Sequence, residues 1–396
     1  MLISRPNWYL VLLFLFSISC ATGDGTEEDS EFSDLVLGQA NFSSTSNNAG
    51  ANVNEASSSS LSSPKGIHFD GTRLYVADTL NHRVLIWNSA PTTNGQTANI
   101  VLGQANMTDN SPNRSGAVSC QTLSRPSSVI ASGNRLFIAD TGNHRILIYN
   151  DVTTLADGAT ADRVVGHSNC VESRPNRLDN GIEGVRADTL NEPTDVFFDG
   201  ARMVVADSGN KRVLIYEGIP SSRGETANVV VGQSEMGTAD DSPPAANTLK
   251  RPTSVYASSS RLLISDTDNN RVLIFNTIPT SNNASASHVI GQTSLTNSGS
   301  GTTNATLSAP LKILASDEDN LIIADSGNHR ILIYDTIPGS SGAKANRVLG
   351  QSNFDSSQPN RAGTPDGNTL NSPAGVFANS SFFWVTDTGN HRVLRF

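Results

Sequence analysis

Leu74–Trp87 reads LYVADTLNHRVLIW and Leu262–Phe275 reads LLISDTDNNRVLIF: an apolar run, a polar turn and a second apolar run. The phrase recurs at Leu136–Tyr149, Met203–Tyr216, Leu321–Tyr334 and Phe383–Phe396, six copies in all. Short runs rich in β-branched and aromatic residues, bounded by turn residues, read as strands of about five residues, and no stretch carries a helical period. Ahead of each copy a proline opens another such run: Pro64, Pro126, Pro193, Pro252, Pro310 and Pro373, spaced 62, 67, 59, 58 and 63 residues apart. Proline lacks an N–H but is tolerated at the first position of a strand. Behind the first five copies comes a short strand ending in Gly, usually Gly-Gln: Ile100–Gln104, Val164–His167, Val229–Gln233, His288–Gln292 and Val348–Gln351. Links such as Asp70-Gly71 and Ser132-Gly133-Asn134 are tight-turn sequences. Each unit therefore reads as four antiparallel strands, the makeup of a propeller blade.

The sixth unit reaches Phe396 with three strands, while Asp34–Phe42 (DLVLGQANF) is an outer strand without a unit. It matches Ile100–Met107, IVLGQANM. The expected fold is an all-β, six-bladed β-propeller whose N-terminal strand completes the last blade and so removes an open edge. The expected organisation is a signal peptide over 1–19, an acidic tether over 20–33, and the propeller over 34–396, with blades starting near 64, 126, 193, 252, 310 and 373.

The shared core, Asp-(Thr/Ser)-x-Asn-(His/Lys/Asn)-Arg-(Val/Ile)-Leu, resembles the NHL repeat over about residues 34–396. The resemblance implies the six-bladed fold and leaves function open. NHL propellers include RNA-binding regulators, protein-interaction platforms and a zinc-dependent peptide-amidating lyase.

The N-terminus carries an address. Arg5 supplies a positive start, and Trp8 to Ile18 is an apolar run too short to span a bilayer but suited to a signal peptide. Ser17-Ile18-Ser19-Cys20 resembles a bacterial lipobox, which implies a lipidated Cys20 and an outer-membrane or cell-surface location; Ser17 departs from the usual Leu, and the alternative is ordinary signal cleavage near Ala21 with Cys20 lost. Acyl chains contribute about 0.8 kcal/mol per buried methylene, so two or three anchor stably. The following segment holds Asp24, Glu27, Glu28, Asp29, Glu31 and Asp34 with no base, as a disordered tether does. The formal charge of −10 argues against a general nucleic-acid binder, whose affinity rests on Lys and Arg. With Cys20 lipidated, Cys120 and Cys170 remain, and an exported chain permits one disulfide between them. Chain entropy credits such a loop with about 4 kcal/mol at most. The alternative is two buried thiols.

Several polar residues repeat sixfold: the Asp of each turn (Asp78, Asp140, Asp207, Asp266, Asp325, Asp387), an Arg five residues on, and an Asn between them. A site needs one constellation, not six, so these read as structural. The Asn is expected at the left-handed corner of the turn, and the Arg is expected to bridge towards a neighbouring blade. Four of seven histidines (His82, His144, His329, His391) occupy one turn position, where Lys211 and Asn270 also stand. Spread around a rim, they do not converge as metal ligands must, and no metal or other cofactor is indicated.

Function is expected where the repeat varies. The connections between blades run to roughly 20 residues, beyond the usual loop length. Three share Pro-Asn-Arg, which makes Arg114, Arg177 and Arg361 candidates for gripping a carboxylate or sugar, or for tying their own loops. A Leu three residues before each Pro (Leu61, Leu123, Leu190, Leu249, Leu307, Leu370) is expected to pin the loop. On the innermost strand, His68, Asp195 and Lys312, with Lys65 beside them, break the pattern. They are either a catalytic or ligand site at the channel mouth or channel wall with an Asp195–Lys312 ion pair. Asp317-Glu318-Asp319 reads as a solvated corner rather than a calcium loop. P-loop, HExxH and GxSxG motifs are absent. The leading expectation is a cell-envelope binding module presenting its loops to a protein or glycan, without nucleic acid. The alternative is a metal-dependent lyase or hydrolase at the channel mouth.

Overall fold

In every repeat the two apolar runs pair across the whole turn, as Leu74↔Trp87 through Asp78↔Arg83 do in the first. A computed structural model of the chain describes residues 32–50, 55–177, 183–315 and 320–396. The expected signal peptide, Cys20, most of the acidic tether and the Asp317-Glu318-Asp319 turn lie outside them. Six four-stranded antiparallel sheets form a six-bladed β-propeller. The second blade, for example, runs Ser128–Ser132, Arg135–Asp140, Arg145–Tyr149 and Arg163–Val165 from the channel outward.

Strand period two sends alternate residues to opposite faces of each blade. Tyr75, Ala77, Val84 and Ile86 pack against the second blade, in a cluster with Val129, Ile138 and Leu147. Leu74, Val76 and Leu85 pack the other way, with Leu35, Trp384 and Val393 of the sixth blade. Both faces are buried, so the strands read as continuous apolar runs rather than alternating ones. The innermost pairings begin at Pro193, Pro252 and Pro310 in three blades, but at Ile67, Ser128 and Gly375 in the others, beyond their prolines. The outer strands are three residues long, shorter than expected. The following glycine ends them: Gly103 has φ +90°, and a Cβ there would lie 2.6 Å from Leu123. Gly38 and Leu61 repeat this seat. The six leucines are buried as expected and fix each connection to the outer strand before it.

The turn differs in one respect from expectation. Asn81 sits in a single 3-10 turn, Thr79–Asn81, and His82 takes the left-handed corner with φ 53° and ψ 42°. The same shift holds in all six turns. The Asn is needed inside, where Asn81 Nδ2 donates to Asp78 Oδ2 at 2.7 Å. Arg83 Nε donates to that oxygen at 2.7 Å, and Ser62 N donates to Oδ1 at 2.6 Å. The remaining guanidinium donors reach Met107 O at 2.5 Å, Ser57 O at 2.8 Å and Ser60 O at 2.9 Å. The arginine thus bridges the connection entering its blade to the one leaving it. Arg145 does the same with Ser119, Thr122 and Cys170, and Arg392 with Phe42, Asp366 and Thr369. All six pairs are fully buried.

Leu35–Leu37 pairs with Arg392–Arg395 and completes the sixth blade. Arg395 grips Asp34 bidentately, at 2.7 and 2.9 Å. Closure leaves six outer edges, and the neighbouring blade covers several of them. Val36 donates to Asn94 Oδ1 at 3.0 Å and accepts from Gly95 N at 2.9 Å. Val101 is held likewise by Asp157 and Gly158, and Val230 by Asn282 and Asn283. These bonds block edge-to-edge pairing with another chain.

Removing one partner of a buried ion pair leaves an uncompensated charge, at about 3–5 kcal/mol. Asp207→Ala should therefore lower stability by about that amount, because Arg212 Nε lies 2.7 Å from Asp207 Oδ2. A denaturation midpoint equal to that of the unaltered chain would show that the pair contributes nothing net.

Candidate functional site

The strand-two to strand-three turns and the connections between blades emerge on the same face, here the upper one. Around the channel mouth each blade begins with a residue ahead of its proline, and five of these are left-handed: Ser63, Arg125, Glu192, Ala309 and Ser372, with φ of 45–50°. Each exposes an N–H that the preceding blade accepts. His391, His82, His144 and His329 accept through Nδ1 at 2.9–3.0 Å, and Asn270 Oδ1 accepts from Ala309 at 2.8 Å. Lys211 has no acceptor to offer. There Arg251 is not left-handed, and its N–H reaches Asp266 Oδ1 at 3.3 Å. The four histidines are therefore clasps between blades. Among the described residues, no group of three or more His, Cys, Asp or Glu side chains lies close enough to share a metal.

The channel mouth is a funnel of about 530 Å³, open solvent included, whose lining includes Lys65, Asp195, Arg251 and Lys312. Asp195 and Lys312 meet on its floor, with Lys312 Nζ 2.9 and 2.7 Å from the two carboxylate oxygens. Asp195 also accepts from Ser128 Oγ at 2.6 Å, Ser254 Oγ at 2.8 Å, Val196 N and Val255 N at 3.1 Å. A carboxylate has about four lone-pair sites, so Asp195 has none left for a substrate proton. It ties together the inner strands of four blades. His68 does not join the pair. It lies deeper on the channel wall, edge-on to Phe377 with centroids 5.1 Å apart and 6.5 Å from Tyr75. Burial pushes its imidazole down to about 4, and Lys312 adds to the shift while Asp70 opposes it.

Lys65 is exposed on the funnel wall. Desolvation lowers its ammonium, and the guanidinium groups of Arg251 and Arg125 lower it further, against Glu192. Arg251 lines this mouth, and Arg125, the residue ahead of the second blade's proline, stands near enough to act on Lys65, although the sequence reading passed over both. The signal was present: the residue before each proline varies from blade to blade, as the third residue of the inner strand does.

The Pro-Asn-Arg arginines turn inward to their own connections. Arg114 donates to Gln104 O at 3.1 Å and Gln121 O at 3.0 Å, and Arg361 to Gln351 O at 3.3 Å. Arg177 pairs with Glu183 at 2.6 Å and Glu172 at 3.4 Å. Cys120 and Cys170 form a disulfide with Cα atoms 5.1 Å apart. It joins the two connections that Arg145 also bridges.

The chain matches no protein-family model and no curated protein. A solved protein of unknown function from Bacteroides thetaiotaomicron superposes with TM-score 0.52 at 12% identity, over 91% of this chain and 74% of that one. A streptogramin B lyase gives TM-score 0.44 at 10% identity, over 86% of this chain and 95% of that one. Virginiamycin B lyase from Staphylococcus aureus gives 0.44 at 10%, over 84% and 94%. At these identities the likeness is one of fold.

The clasps require neutral imidazoles. Burial pushes His82 and His144 down to about 4, below the ordinary 6.5. The unfolded chain then binds protons more readily between these values, so the clasps stabilise fully above about pH 6.5 and are lost as pH falls through about 4. His144→Asn keeps an acceptor, as Asn270 does, and removes the titration. Melting curves from pH 7 to 4 should fall less steeply for this variant than for the unaltered chain; parallel curves would show that His144 contributes no linkage.

Proposed function

We propose that this chain is a cell-envelope binding module built of NHL-type repeats. In this reading residues 1–19 direct export, lipid on Cys20 holds it to a bacterial outer membrane or cell surface, and its upper face meets a protein or glycan. The pinned upper connections carry the proposal: six buried arginines bond their carbonyls and hold them as a preformed surface. Binding to such a surface costs little ordering entropy. Among the described residues no helix is long and apolar enough to cross a membrane.

Two measurements test this. A photo-crosslinker at Thr108 or Asn297, exposed on upper connections, should trap a discrete partner in intact cells, whereas one at Thr92 or Ser222 on the lower face should not. Equal labelling from both faces, or none, would sink the reading. Cys20→Ser should move the protein from the membrane fraction to the soluble one; unchanged fractionation would remove the lipid anchor.

A further inference from the structure

Five blades offer a reference for what the second residue of an inner strand does. Ser127 Oγ donates to Thr194 O at 2.7 Å, and Thr194 Oγ1 to Pro252 O at 3.3 Å. Thr253 Oγ1 donates to Leu311 O at 3.3 Å. These hydroxyls stitch one inner strand to the next. Leu311 and Ala374 are simply apolar there. Lys65 alone places a charge at this position. Its backbone is paired, the N–H donating to Ala77 O at 3.0 Å and the carbonyl accepting from Thr386 Oγ1 at 2.8 Å, but among the described residues its ammonium forms no hydrogen bond or ion pair and stands exposed in the funnel. At this position the first blade, like the fifth and sixth, makes no side-chain seam bond, and it alone presents an ammonium group instead; Thr79 Oγ1, donating to Pro126 O at 2.8 Å, still stitches it to the second blade.

Its neighbours have the same sign. Arg251 lines the funnel, and Arg125 is close enough to act on Lys65. Each has one weak acidic partner: Glu192 lies 3.9 Å from Arg125 and Asp268 3.7 Å from Arg251, with all four side chains about half exposed. Pairs of that kind are screened by water and leave their guanidinium donors available. Lys312 stands on the floor, held by Asp195. In a chain of formal charge −10, the funnel is a local reversal of sign, set in a cleft whose low-dielectric walls focus the field.

Resting on the upper face being the binding face, we propose that the channel mouth binds a small multiply charged anion, carboxylate or phosphate. Lys65 supplies a point charge, and Arg251 and Arg125 supply planar forks from the rim. Guanidinium forks match both oxyanions, and charge-assisted bonds to them are the strong kind. Asp195 is the floor rather than a ligand.

The test is calorimetric titration of the purified full chain with citrate and, separately, inorganic phosphate, at fixed chloride concentration. We expect one site per chain for at least one of the two. Tighter citrate marks a carboxylate ligand; tighter phosphate marks a phosphorylated one. Lys65→Ala should weaken binding about tenfold, and Lys65→Glu and Arg251→Glu should abolish it. Both side chains are exposed, so melting temperatures should stay unchanged in all three variants, which separates lost binding from lost fold. No binding of either anion, or equal binding by Lys65→Glu, overturns the proposal. If that happens while crosslinking stays confined to the upper face, only the anion site falls; if crosslinking also loses its face preference, the binding-module reading falls as well.

Discussion

The buried Asp–Arg pair of each blade is the interaction on which the remaining structure depends. Two charges removed from water are a poor way to gain stability, and well-packed apolar residues often serve as well. An apolar pair, however, has no donors to spare. The guanidinium spends Nε on its aspartate and its remaining donors on carbonyls from two separate connections, so one side chain joins a turn, a blade and both flanking loops. Burial raises the carboxyl of Asp207 while Arg212 opposes it; Asn210 Nδ2 at 2.8 Å and Asn191 N at 2.7 Å complete the shell around that carboxylate. The asparagine is therefore inside the turn, and the residue after it is free to serve the next blade.

Much of this was legible because it repeats. Six copies in phase disclosed blade number, strand order, closure and the pinning leucines, since each rests on local pattern and spacing. The left-handed corner was misplaced by one residue, because Asn suits that conformation in general and only the packed turn shows that its amide is wanted by the aspartate. The histidine clasps were invisible for a different reason. Their partner is a backbone N–H on the next blade, 43 residues away for His82 and Arg125, and a backbone group has no sequence signature.

The funnel shows the opposite limit. Its lining comes from inner strands spread over more than 300 residues of chain, from Lys65 to Ala374. Pattern breaking picked out Lys65, Asp195 and Lys312, but could not say that Asp195 would be saturated with donors or that His68 would face Phe377 instead. Chemical distinctness was readable; distance was not. Arg125 and Arg251 were overlooked because they stand in the connection by count and in or beside the mouth by geometry.

The covering of outer edges also bears on how the ring is assembled. Asp34 and Arg395 are 361 residues apart, and contacts of such separation form slowly because loop closure must precede them. An apolar strand made early and completed late is a hazard while it waits. Val36, however, exchanges bonds with Asn94 and Gly95 of the first blade, only 58 and 59 residues on. The first blade can therefore dock this strand long before its sheet partner exists, acting as an internal chaperone and leaving a half-built sixth blade templated in the correct register.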